Sequence, residues 1–235
     1  MVVPTPPWQR PPRSAPDRQP LSQQRIVDEA LTLLAREGLD AVSMRRVAQA
    51  LKTGPASLYA HLRNKEELYQ LMLDRLIGEV AVPVPDPQRW RDQLKELVRS
   101  MIGVMIDHPG SAQLAIATMV PTGPNALRIT EGMLAILRSG GLSDRVTALA
   151  GDLIATYTSA LALEASTWAA AAALDPNAVE QRVRQVRDYF AALPPDVFPH
   201  TVALAGPLTE GGAEERFEFG LEVLVAGLER ISEQT

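Results

Sequence analysis

Residues 43–69 read SMRRVAQALKTGPASLYAHLRNKEELY. Ser43 suits the N-cap of a helix whose Val47, Ala48 and Leu51 share one apolar face. Lys52-Thr53-Gly54 is a turn signal, and Pro55 fits the first turn of a new helix, where its missing N–H has no partner to lose. That second helix is expected over Ala56 to Leu62, burying Leu58 and showing Pro55, Ser57, Tyr59, Ala60 and His61. Asn64 followed three residues later by Glu67 is a capping box opening a third helix, Lys65 to about Val80, that buries Leu68, Leu71, Met72 and Ile77. Two short helices about a Gly-containing turn, the second showing small polar groups, have the build of a helix-turn-helix.

Working outward, an amphipathic helix from Ser22 or Gln23 to Arg36 places Ile26, Ala30, Leu33 and Leu34 on one face and stops at Gly38. Residues 1–20 carry seven prolines with Arg10, Arg13 and Arg18, the composition of a disordered arm. On the other side, Val82-Pro-Val-Pro-Asp-Pro-Gln88 ends the helix and stiffens a boundary. The expected organisation is therefore an arm over 1–20, a DNA-binding domain over 21–82 and a larger domain over 88–235.

The patterns SxRxVAxAL (43–51), SLYxHxxNKEEL (57–68) and RIVDEALTLLAREGLDAVS (25–43) resemble the DNA-binding domain of the TetR family of transcriptional regulators without a gap from about Leu21 to Ala81. The resemblance implies that the helix carrying Tyr59, Ala60 and His61 enters a major groove. Thr53, Gly54, Pro55, Ala56 and Ser57 then take part in base readout, Lys65 meets a phosphate, and Arg45 adds a contact from the preceding helix. One departure stands out: the family turn reads Leu-Gly-Val, whereas here Leu51-Lys52-Thr53 places the glycine later, at Gly54.

The charge distribution is consistent with DNA binding at one end only. The net charge is −5, but residues 1–82 sum to +2 and the remainder to −7. With 46% hydrophobic residues the chain can build a sizeable core, and with no cysteine it has no disulfide or thiolate chemistry. Residues 1–20 lack a signal-peptide core, and no uninterrupted apolar run reaches spanning length, so a cytoplasmic protein without a membrane partner is expected. Enzyme motifs are missing: His61, His108 and His200 are scattered, and no phosphate loop, HExxH or GxSxG occurs. Asp107-His108 before Pro109 reads as a helix end near its negative pole.

Beyond residue 88 no period-2 alternation survives, and the expected class is all-α. Helical patterns run over 89–107, 110–119, 124–139, 144–173, 176–192 and 212–232, with a proline-rich loop at 193–211. The last helix sets Phe217, Leu221, Leu224, Val225 and Leu228 on one stripe, widened by Phe219, Val223 and Ala226 beyond what one side needs. Segment 144–173 is rich in small residues that allow close backbone approach. Together they suggest a four-helix interface between two protomers.

FEFGLEVLVAGLERI (217–231), His108-Pro109, Gly123-Pro124-Asn125-Ala126 and Leu163-Glu164 are similar to family members of the tetracycline-repressor type. That similarity implies dimerisation through the eighth and last helices and an effector pocket in the core. Candidates for the pocket are Met101, Met105, Met119, Met133 and Leu137, with the stripe Tyr157, Leu161, Glu164 and Trp168 on one helix face. Glu164 stands alone in a neutral run, so it should reach solvent, meet Arg128 or Arg138, or face a ligand. The resemblance places Glu164 near a metal-bound drug site. That site also needs a histidine, and none lies between His108 and His200, so no metal or cofactor is expected.

The reading is a homodimeric repressor on a palindromic operator in double-stranded DNA, released by an unidentified small apolar effector. Alternatives are an activator or global regulator without an effector, or a helical binding module or enzyme with a degenerate helix-turn-helix.

Overall fold

A computed structural model describes residues 20–118 and 120–233. The expected arm, apart from Pro20, and Met119 lie outside the described residues. Among those described, every regular element is a helix.

The N-terminal helices form where local chemistry sets their ends. Helix α1 (Gln23–Glu37) starts where Ser22 Oγ accepts from the Arg25 amide at 3.3 Å, and stops at Gly38 with φ 80°. A single 3₁₀ turn, Leu39–Ala41, leads to α2 (Met44–Ala50), where Ser43 Oγ caps the Arg46 amide at 3.3 Å. Helix α4 (Lys65–Ile77) starts on Asn64, whose side-chain oxygen accepts from the Glu67 amide at 2.8 Å. The Glu67 carboxylate reaches back to the Arg63 amide, one residue earlier than in the usual reciprocal box. Ile26, Ala30, Val47, Leu58, Leu68 and Met72 are fully buried and form the N-terminal end of a core that runs on into the rest of the chain.

Two boundaries in this segment differ from expectation by three residues or more. Helix α3 spans only Pro55–Leu58, because the amides of His61 and Leu62 both bond to the Leu58 carbonyl at 2.9 Å and fold residues 59–61 into a turn. Helix α4 ends at Ile77 rather than Val80, where Gly78 takes the cap position.

The rest is a helical bundle: α5 (Trp90–Asp107), α6 (Ser111–Ala117), α7 (Pro124–Ser139), α8 (Asp144–Leu174), α9 (Pro176–Ala191), α10 (Pro199–Ala203) and α11 (Ala213–Ser232). Helix α10 lies inside the stretch expected to be loop. Helix α8 is the hub. Its 31 residues pack on α5, α6, α7 and α9 and bury Ala150, Gly151, Ile154, Thr158 and Ala162. It is also long and apolar enough to cross a membrane by length and composition, although the sequence pattern suggested no such run. Only a third of its most apolar window is buried, with Leu149 and Leu153 standing in solvent. Helix α9 packs mainly on α8 and α10, and none of its described residues is fully buried.

Helix α11 lies against α5 along a ladder of ion pairs: Arg91 with Glu229, Lys95 with Glu222, and Arg99 with Glu218. Beneath the ladder Phe217, Leu221, Val225 and Leu228 enter the core. The sequence stripe through Leu221 is therefore the inward face, and Phe219 and Val223 are the face left uncovered, at 73% and 54% exposure.

Candidate functional site

Three features of the fold bear on function: an exposed face on α3, a junction at α4 and a cleft beside α11.

At the first, the turn between α2 and α3 forms with no glycine at its left-handed position. Lys52 itself takes the left-handed conformation, φ 54°, and Gly54 has φ −85° and serves as the N-cap of α3. The amides of Lys52 and Thr53 bond to the carbonyls of Gln49 and Ala48 at 3.0 and 2.9 Å, which fixes the angle between the two helices. Leu58 anchors α3 from below. Arg45, Gly54, Pro55, Ala56, Ser57, Tyr59, Ala60, His61 and Lys65 all stand exposed, and Thr53 is half-buried. Tyr59 is 54% exposed despite its size, so it contributes little to the core. Lys65 lies 4.8 Å above the Tyr69 ring, which braces the ammonium at the start of α4. Arg46, next to Arg45, is tied back to Glu37.

The second feature is a junction no local signal announced. Asp74, on α4, receives the N-terminus of α7: its Oδ1 accepts from the Asn125 and Ala126 amides at 2.9 and 3.0 Å. Asn125 Nδ2 returns bonds to the Asp74 carbonyl and Oδ2 at 3.0 and 3.2 Å. Gly123 makes the approach feasible, because a Cβ there would sit 2.2 Å from Asp74 Oδ1. One turn earlier Gln70 bonds to the Val120 carbonyl and the Thr122 amide at 2.8 and 3.1 Å. His108 ends α5 and lies 3.2 Å from Glu79. Helix α4 thus has one end at the turn that follows α3 and the other keyed into the bundle.

The third is a cleft of about 410 Å³ between α5, α8 and α11. Ile102, Ile106, Leu161, Ala165 and Phe217 supply its apolar wall, and Arg99, Arg216, Glu164 and Glu218 its charged rim. Each guanidinium grips a carboxylate at two points: Arg99 on Glu218 at 2.7 and 2.7 Å, Arg216 on Glu164 at 2.8 and 3.2 Å. The Arg99 pairing holds the Glu218 carboxyl below its ordinary range and raises Arg99.

Of the four-residue stripe on α8, Leu161 and Glu164 line this cleft. Glu164 is not buried and its cation is Arg216, neither of those expected; Arg128 bonds to the Gly78 carbonyl and Arg138 pairs with Asp144. Tyr157 turns to α11 instead. Its hydroxyl donates to the Phe217 carbonyl at 3.0 Å, its ring stacks on Phe217, and Gly220 leaves the space it needs. Burial pushes the Tyr157 phenol up. Trp168 is 43% exposed, with its indole nitrogen 3.5 Å from Glu164. Met105, Met133 and Leu137 are core residues and Met101 is half-buried. Two buried oxygens on and beside α6, Gln113 Oε1 and Thr118 Oγ1, have no hydrogen-bond partner among the described residues. Arg99, Arg216, Glu218 and Asp74 were not singled out in the sequence. The spacing of Arg91, Lys95 and Arg99 on α5 against the acids of α11 was the available signal for the first and third.

Comparison with known proteins converges. Residues 26–72 match the family model described as bacterial regulatory proteins, tetR family, and residues 83–231 match that described as tetracyclin repressor-like, C-terminal domain. An HTH-type transcriptional regulator of Saccharopolyspora erythraea is 32% identical over 94% of this chain and 90% of its own. The crystal structure of apo ActR from Streptomyces coelicolor is 45% identical, superposes with a TM-score of 0.81, and covers 92% of this chain and 98% of that one. ActR in complex with actinorhodin is 46% identical with a TM-score of 0.79, covering 89% and 97%.

Proposed function

The chain belongs to the TetR family of bacterial transcriptional regulators, and on that premise we propose that it is a homodimeric repressor which a small molecule releases from a palindromic operator. The observation that carries this reading is the junction. The helix that starts at Lys65, directly after the DNA-facing turn, is hydrogen-bonded through Asp74 into the first turn of α7. A ligand that repositions α7 within the bundle moves α4, and with it α3.

Other features support the parts. The exposed face of α3, with Tyr59 and His61, is small enough to enter a major groove, and Lys65 lies at a helix N-terminus where a phosphate is favoured. Phe219 and Val223 on α11, with Leu149 and Leu153 on α8, form apolar surface that a second copy would bury. Pairing doubles the reading heads, so two half-sites about one helical turn apart are engaged together. ActR, similar over the whole bundle, has been crystallised with actinorhodin, which supports a small-molecule site in the same domain here. The Gln113 and Thr118 oxygens, without a partner among the described residues, offer polar handles to a ligand that opens the core around α6. Such a protein acts where the chromosome is, in the cytoplasm.

The test is a fluorescence-anisotropy titration of a labelled palindromic operator, with light scattering in parallel. Sequence-specific binding by a dimer that weakens when a ligand is added is expected. A difference of only about 1.4 kcal/mol between the ligand's affinities for the free and DNA-bound forms gives a tenfold release. A monomer, or binding equal on scrambled DNA, would remove this function. Specific binding unaffected by any ligand would leave a regulator without an effector.

A further inference from the structure

We infer that the cleft between α5, α8 and α11 receives an apolar, carboxylate-bearing molecule, whose carboxylate takes the place of Glu218 on Arg99. The inference rests on reading the bundle as the ligand-responsive half.

The cleft's volume, about 410 Å³, falls within the usual range of roughly 300–1,000 Å³ for small-molecule sites. Its wall is aliphatic and aromatic, so a ligand gains by burying apolar surface against Ile102, Ile106, Leu161 and Phe217. The choice of headgroup follows from what already sits at the rim. Arg99 holds the Glu218 carboxylate through two parallel bonds of 2.7 Å, the fork geometry by which a guanidinium recognises any carboxylate. Glu218 is the ligand's chemical stand-in, supplied by the protein.

Exchange is favourable for an acid and unfavourable for an amine. A ligand carboxylate meets Arg99 on the same two bonds that Glu218 gives up, and the released Glu218 side chain, already 42% exposed, turns to water. The exchange is close to neutral in bonding, and the apolar contact is surplus. A ligand ammonium must instead take a carboxylate away from a two-point guanidinium while offering a point charge. Glu164 is guarded in the same way by Arg216. The remaining acid, Glu214, pairs with no cation among the described residues, but it stands exposed in the first turn of α11. There water competes for it.

The exchange also has a mechanical result. Arg99–Glu218 is the last rung of the α5–α11 ladder, so a ligand on Arg99 unfastens the start of α11 while Lys95–Glu222 and Arg91–Glu229 still hold the rest.

The experiment measures direct binding of 2-naphthoate, 2-naphthamide and 2-naphthylmethylammonium to the full chain by calorimetry, without DNA. The naphthoate should bind about tenfold tighter than the amide. Glu218→Gln should raise naphthoate affinity by roughly threefold or more while leaving the amide unchanged, a gain that misfolding does not imitate. Arg99→Gln should bring naphthoate down to the level of the amide. The inference is overturned if the ammonium binds as well as the naphthoate, if no probe binds, or if Glu218→Gln leaves naphthoate affinity where it was. Operator release is read separately. Naphthoate binding with this pattern but no change in operator affinity keeps the site and removes the effector reading. Release by a ligand that is indifferent to Arg99→Gln does the reverse.

Discussion

The DNA-facing segment and the bundle behind it solve the burial problem differently. In the first, α1, α2, α3 and α4 turn every large apolar group but Tyr59 toward a common centre, and each helix starts on its own side-chain cap where one is needed. In the second, α8 and α11 are apolar on both sides, and one side of each is satisfied within the chain while Leu149, Leu153, Phe219 and Val223 are not. The contrast teaches that an apolar count does not locate an interface. What matters is the residue of apolar surface left after the chain has covered what it can.

The sharpest way to break the comparison is a charge on the uncovered face. Val223→Glu should leave the fold intact, turn the proposed dimer into a monomer by light scattering, and weaken operator binding roughly a hundredfold or more because one half-site alone holds poorly. Leu221→Glu, two residues away, should instead unfold the protein, since Leu221 is buried in its own core. If Val223→Glu stays dimeric, α11 is not the interface.

A second variant addresses the joint between the two regions. Asp74→Ala removes the acceptor for two backbone amides and should cost about 1–2 kcal/mol in urea denaturation. More tellingly, ligand and operator should then bind with little mutual influence. Unchanged ligand-induced release would show that α4 is driven by another contact.

Within the DNA-facing segment, Lys65→Ala should weaken binding to all sequences by about tenfold and lower the slope of log affinity against log salt by about one unit, with no change in the oligomer. An unaltered slope would count against docking at this helix start.

Lys52→Gly tests the turn alone. Relief of the left-handed strain at φ 54° should add about 1 kcal/mol to stability and leave both assembly and ligand binding as they were. A loss of stability would mean that the Lys52 side chain contributes more than its backbone costs.

The smallest effect concerns the ladder. Glu218 is held below its ordinary pKa chiefly by its hydrogen bonds to Arg99, so the folded state favours the ionised carboxyl. That contribution is complete above the unfolded value, 4.5, and fades as pH falls below it through the lowered folded value. Thermal melts between pH 7 and 3 should show Glu218→Gln converging with the parent at the acid end. Parallel curves would mean that the pair adds nothing.

How much of this was legible depended on the distance over which each interaction acts. Ser22, Ser43 and Asn64 lie within three residues of the amides they cap, and the helix starts they imply are those found. The end of α3 was missed because the pattern cannot separate a helix from the turn that continues it through Leu62. Glu164 was recognised as an unusual acid, but its partner Arg216 lies 52 residues on, and sequence offered no means to choose it over Arg128 or Arg138. Asp74 left no trace: its partners, the Asn125 and Ala126 amides and the Asn125 side chain, lie 51 and 52 residues away, and no local pattern links an aspartate to them over that distance. The two faces of α11 were both visible as apolar, and only packing distinguished Leu221 from Val223.

The joint also sets what an exchange of parts would have to preserve. Asp74 meets two main-chain N–H groups and the Asn125 side chain, Gly123 leaves room for its carboxylate, and one turn earlier Gln70 holds the Val120 carbonyl and the Thr122 amide. A foreign DNA-reading segment placed ahead of this bundle would need an aspartate and a glutamine at these two positions of its last helix, and the bundle would need to keep Gly123 and Asn125. The seam is a matched set of side chains, a lock whose key cannot be recut on one side alone.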